Sequence, residues 1–264
     1  MTAPPPGVCR ACQTPRQTPL PIAMAFQPIV DVRAREVYAY EALVRGPEGQ
    51  PAGWVFEQLG EGDIYPFDQA CRVTAIRSAA RLGLPTLGLQ TRLSINFLPN
   101  AVYEPANCLR ATLRAAQEVG FPLDRLMFEI TEHEHVLDEA HVRRIIDSYR
   151  QYGFTTALDD YGSGHANAGL LLAVRPDVIK LDMVLVRGLD QDTWRQSLVR
   201  SLARFAQDVG CLVIAEGIET ADEARCLWEL GITHMQGYFF ARPGFECLPP
   251  VPDEVFGLFA PHAS

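Results

Sequence analysis

The sequence predicts an α/β fold, a closed (β/α)8 barrel of the TIM type with a modified, antiparallel first strand. Three observations predict it. Short apolar runs rich in β-branched and aromatic residues alternate with amphipathic stretches, the pattern of βαβ units. The runs number eight. A charged or amide residue stands at or near the C-terminal end of run after run: Glu41, Asn96, Glu129, Asp159 with Asp160, Lys180 and Glu216. A carboxylate placed in an apolar strand loses its hydration unless something neutralises it. Repeating this on successive strands calls for a shared partner. One or two divalent cations in a single pocket are the economical answer. The C-terminal mouth of a parallel barrel is where such strand ends converge.

Each element follows from local signals. Residues 1–23 are Pro- and Thr-rich with no apolar period and read as a flexible tail. The first two strands, 24–31 and 37–45, are too close for a parallel crossover, which needs about a dozen residues or more, so they pair antiparallel. Segment 46–65, rich in Gly and Pro, reads as a long loop on the site side. Then come a helix at 66–83 and a strand at 93–98, a helix at 105–119 and a strand at 126–131. A helix at 138–152 and a strand at 155–160 follow, and then a strand at 178–182. The series ends with a helix at 192–209, a strand at 211–216, a helix at 220–230 and a strand at 234–240. The barrel domain is set at 24–248, with 249–264 as a C-terminal tail.

The composition narrows the function. The chain has 264 residues, is 48% hydrophobic and has a mean hydropathy of zero, enough for one large core. Its net charge of −9 argues against a nucleic-acid polymer held by phosphate contacts. No apolar stretch approaches the ~20 residues that span a bilayer, and there is no basic-then-apolar leader, so a cytoplasmic location is expected. The seven cysteines are odd in number and scattered, which fits reduced thiols. Cys71, Cys108, Cys211, Cys226 and Cys247 read as core or half-buried positions.

The run 40-YEALVR resembles the signature of the EAL-domain cyclic di-GMP phosphodiesterases. It is joined by 26-FQPIV, 94-SIN, 129-EITE, 159-DDYGSG, 180-KLD, 215-AEGIET and 236-QGYFFARP, in that family's order and spacing. The resemblance covers roughly residues 24–248. It implies metal-dependent hydrolysis of cyclic di-GMP to linear 5′-pGpG by in-line attack of water at a two-metal centre. The cations would be Mg²⁺ or Mn²⁺, with Ca²⁺ inhibitory because it prefers longer bonds and looser geometry. A binding module that holds cyclic di-GMP without cleaving it is the alternative. The discriminator is the ligand set, of which no member is missing here. A homodimer is implied, with room for a regulatory protein partner.

The resemblance also implies roles. Glu41, Asn96, Glu129 and Asp159 would ligate the first cation. Asp160 would hold the second, with Asp159 bridging. Glu216 would complete the first shell and contact the attacking water, and Lys180 would orient that water or stabilise phosphoryl charge. Glu41, Lys180 and Glu216 form the catalytic set. Gln27, Leu43, Arg45, Asp182 and Gln236 would contact substrate, Gln236 also supporting the second-metal side. Glu219 would pin the loop after Asp160, with Thr131 and Glu132 behind the ligands.

Some positions depart from the family pattern or fall outside it. Tyr161, His165, Asn167 and Ala168 differ from its commoner residues, which leaves harmless drift, an altered dimer interface and lowered turnover as readings. Cys9 and Cys12 have the spacing of half a zinc site, which two tails in a dimer would complete; an unordered tail with two free thiols is the other reading. His133, His135 and His141 read as exposed residues at the start of a helix, since nothing else completes a metal shell.

Overall fold

The computed structural model describes residues 20–60, 62–88, 90–99, 102, 105–130, 139–163 and 168–259. Its strands are β1 (Ala23–Asp31), β2 (Glu36–Arg45), β3 (Arg92–Phe97), β4 (Leu126–Ile130), β5 (Thr155–Tyr161), β6 (Val178–Leu181), β7 (Leu212–Ala215) and β8 (His234–Gln236). They run in the order β2-β3-β4-β5-β6-β7-β8-β1, and β1 pairs back onto β2 to close the barrel. Neighbours from β2 to β8 are parallel, while β1 is antiparallel to both β2 and β8. The reversal comes from a tight turn. Asp31 Oδ1 accepts the N–H groups of Arg33 and Ala34, and Arg35 takes φ +60°. A short strand β9 (Gly244–Phe245) pairs with the start of β1, at Ala25 and Phe26, on the edge that β8 takes further along.

The helices are α1 (Ala52–Glu57), α2 (Ile64–Arg81), α3 (Pro105–Val119), α4 (Glu139–Gln151), α5 (Ala168–Val174), α6 (Met183–Val186), α7 (Thr193–Val209), α8 (Ala221–Glu229) and α9 (Asp253–Phe256). Their ends follow local chemistry. Asp192 caps α7 by accepting from Trp194 and Arg195, and Gly210 at φ +71° ends it. Helix α2 starts two residues earlier than expected, because Pro66 in a first turn removes an N–H that has no helical partner. Helix α1 sits inside the expected loop, and α5 and α6 are single turns or little more, too short to carry a readable period. Past residue 248 the chain still packs. Phe256 and Phe259 are buried, Phe259 against Trp228 and Phe240, so residues 249–259 belong to the folded body.

Side-chain alternation places the site. The barrel's lower interior is filled by Ile29, Ala39, Met127, Ala157, Val178 and Ile214. Two residues further toward the mouth on those same strands stand Gln27, Glu41, Glu129, Asp159, Lys180 and Glu216. A strand repeats its facing every two residues, so a side chain above an interior apolar residue also points inward. Gln27 lies two positions before Ile29 because β1 runs the other way.

Candidate active site

Lys180 is the hub. Its Nζ lies 2.7 Å from Glu129, 2.7 Å from Glu216, 2.9 Å from Asp159 and 3.8 Å from Glu41. The ammonium is almost fully buried, as are Glu41, Glu129 and Asp159. Burial opposes its charge, but the surrounding carboxylates outweigh that and hold the lysine well above its ordinary pKa. The carboxylates fare worse. Burial, with like-charged neighbours, pushes Glu129 and Glu216 well above the usual carboxylate range, and Asp159 above it too, despite Lys180. Glu41 behaves differently. Burial would raise it, yet Lys180 and hydrogen bonds from Gln236 and Asn96 hold it low. Asn96 Nδ2 donates to Oε1 at 2.9 Å and Gln236 Nε2 to Oε2 at 2.7 Å.

One ammonium cannot balance four carboxylates. Asp159 Oδ1, although near Lys180, accepts no well-directed hydrogen bond. Oxygens of Asp159, Asp160 and Glu216 all lie within 4.8 Å of one another. This oxygen-only set with unmet negative charge fits hard divalent cations. Consecutive strand residues normally face opposite sides, so the convergence of Asp159 and Asp160 needs a break. Asp160 supplies it at φ +51°, where the β5–β6 register shifts between Leu158 and Tyr161.

The structure brings together Glu41, Asn96, Glu129, Asp159, Asp160, Lys180, Glu216, Gln27 and Gln236. The Gln236 amide that holds Glu41 also reaches Gln27 Oε1 at 3.3 Å. Two hollows open from this centre and share Asp160. One, of about 300 Å³, is polar and lined by Gln27, Asp182, Arg187, Glu216, Glu219 and Gln236, among others. The other, of about 450 Å³, is apolar and holds Leu43 and Arg45. The expected substrate residues are thus split between two cavities. Asp182 also caps α6 through Val184 N–H.

Among the described residues the Glu219 carboxylate pairs with Arg187 at 2.9 Å; residues 164–167 of the loop it is expected to pin lie outside the described residues. Thr131, Glu132, His133, His135, His165, Asn167, Cys9 and Cys12 lie outside the described residues. His141 is not free for a metal, because its ring contacts Val102 O at 2.6 Å. Cys108 is buried and Cys71, Cys211 and Cys226 half-buried, but Cys247 is exposed. No helix among the described residues is long and apolar enough to cross a membrane.

Two contributors escaped the sequence reading. Ser94 is fully buried and its hydroxyl donates to Glu129 Oε1. Its position two residues before Asn96 on the inward face was the available signal. Arg187 had none, since its place in the cleft depends on the short α6.

The EAL domain model matches residues 21–243, covering the barrel and every strand that carries a ligand candidate. The chain belongs to the EAL family. A solved EAL protein of Vibrio cholerae O395, in its cyclic di-GMP-bound form, is 44% identical with a TM-score of 0.85, over 90% of this chain and 99% of that one. Klebsiella pneumoniae BlrP1, in a complex with manganese and cyclic di-GMP, is 32% identical with a TM-score of 0.80, over 88% of this chain and 59% of that one. The cyclic di-GMP phosphodiesterase PdeR of Escherichia coli K12 is 30% identical over 84% of this chain and 34% of its own length. The E. coli antirepressor BluF is 27% identical over 86% of this chain and 55% of its own. The chain thus spans about a third to a half of these two curated relatives, and matches them as an EAL domain.

Proposed function

We propose that this protein hydrolyses cyclic di-GMP to linear 5′-pGpG with two divalent cations, Mg²⁺ or Mn²⁺, at the barrel mouth. The observation that carries the reading is four converging carboxylates around a single buried ammonium, with Asp160 turned in beside them. Glu41, Asn96, Glu129, Asp159 and Glu216 would hold the first cation, and Asp159 and Asp160 the second. Bound there, such cations neutralise phosphate oxygens and lower the pKa of water. The protein's own groups do the rest. Lys180 orients the attacking water or stabilises phosphoryl charge, and Glu216 contacts that water. Ser94, Asn96 and Gln236 fix the rotamers of Glu129 and Glu41. Arg45 and Leu43 in one hollow, and Gln27 and Asp182 in the other, receive the two halves of the dinucleotide. The names of PdeR and of the ligand-bound relatives support this substrate. An apolar stripe left exposed on α7, with Trp194, Leu198, Phe205 and Val209 at helical spacing, supports a homodimer.

A second reading, a binding module that signals through cyclic di-GMP without cleaving it, draws on the likeness to the antirepressor BluF. The two separate in one assay. Wild type and Lys180→Ala are titrated with cyclic di-GMP in Ca²⁺, then assayed for turnover in Mn²⁺. Binding by both with turnover by wild type alone supports the enzyme. Binding by both with no turnover by either supports the module.

A further inference from the structure

A third hollow, of about 470 Å³, lies at the opposite end of the barrel from the carboxylates. Its walls come from the β1–β2 turn, the second half of α7, the start of β7 and the approach to β8. Arg33, Arg200 and Arg204 line it, and no aspartate or glutamate does. On a chain of net charge −9 that is an inversion of the local sign. Arg204 has Asp208 at 3.1 Å, but no carboxylate lies within ion-pair reach of Arg33 or Arg200 among the described residues. Arg33 is carried over the Trp228 ring at 5.9 Å, which steers its guanidinium. Arg204 and Asp208 form an i,i+4 pair on α7, which accounts for Arg204 and not for Arg33, which arrives from a different element. Leu212, Val213 and Ile232 provide an apolar floor.

We propose that this cleft binds the phosphomonoester end of a small organic phosphate. Arginine's planar fork matches phosphate oxygens bidentately. Two guanidinium groups lacking a carboxylate suit a group that carries close to two charges at neutral pH better than a phosphodiester, which carries one. The hollow is of ligand size, and its apolar floor favours an organic body over the bare ion. Two sources share this chemistry: a free nucleoside monophosphate, and the linear 5′-phosphorylated dinucleotide. The second rests on the hydrolysis proposed above; the first does not.

The test is calorimetric titration of the full chain, in chelator and ~0.15 M salt to screen loose surface attraction. The probes are GMP, 5′-pGpG, inorganic phosphate and cyclic di-GMP. GMP and 5′-pGpG should bind, inorganic phosphate more weakly, and Arg33→Ala/Arg200→Ala should weaken both nucleotides at least about tenfold. Both side chains are exposed, so the double variant should keep the wild-type melting temperature. Absence of nucleotide binding, equal binding by the double variant, or equal cleft-dependent binding of cyclic di-GMP overturns the proposal. GMP binding in a protein that cleaves nothing in Mg²⁺ or Mn²⁺ would defeat the reading of the mouth and leave this one standing.

Discussion

At the mouth of the barrel the Lys180 ammonium lies within 2.9 Å of Glu129, Asp159 and Glu216, while Asn96 and Gln236 clamp Glu41. On the proposed reading, removing either centre removes charge complementarity at the place of the phosphoryl group. Lys180→Ala and Glu41→Ala should each lower kcat by ~10²–10³, read by product formation at saturating substrate. Asp160 combines a conformational and a chemical demand. Asn tolerates its left-handed φ and a β-branched residue does not. Asp160→Asn should therefore melt near wild type yet bind Mn²⁺ more weakly, whereas Asp160→Val should also lose about 1–2 kcal/mol in denaturant unfolding. Equal stability of the two variants would contradict the strain argument. The strand-end carboxylates were legible because charge at the end of an apolar run has few explanations. The inward turn of Asp160 was not, since it depends on one backbone angle that no period reports. The Ser94 hydroxyl was obscured by its place in an apolar run.

The ends of the elements set the geometry around the cleft. Glu223, in the first turn of α8, accepts the N–H groups of Gly188, Glu219 and Thr220, while Thr220 Oγ1 accepts from Glu223 N. Burial alone would raise this carboxyl, but those backbone donors and Arg187 hold it below its ordinary value. A depressed carboxyl stabilises the fold above the unfolded-state pKa, and that contribution fades as pH falls through the lower folded value. Glu223→Gln should thus lower the melting temperature at pH ~7, with the gap to wild type closing below pH ~4. A gap independent of pH would point to packing instead. The ion pair of Arg187 with Glu219 bridges α6 and the β7–α8 loop. Glu219→Ala and Arg187→Ala should each reduce turnover ~10–100-fold, as losses behind a site do. A loss confined to Glu219→Ala would place its working partner in 164–167. The long elements were legible from period, α3 to the residue. The short α1, α5 and α6 were not, because one or two turns show no period, and the packing of Phe256 and Phe259 is a tertiary fact.

Across the whole molecule, the reversed β1 closes a barrel whose lower interior is apolar and whose mouth gathers carboxylates, and both follow from one alternation of side chains. The fold class and the antiparallel start could be read from spacing, since too few residues separate β1 and β2 for a crossover. The division of the mouth into a polar and an apolar hollow could not, because it depends on how loops from five strands meet. On the proposed reading, the negative charge gathered at the mouth and the anionic phosphodiester would coexist only with cations between them. The direct measurement is incubation of purified protein with cyclic di-GMP in Mg²⁺ or Mn²⁺, with and without excess chelator, and chromatographic separation of the products. The expected result is linear 5′-pGpG with either metal and intact substrate with chelator. Undiminished cleavage in chelator, or tight binding with no cleavage in either metal, would contradict the account.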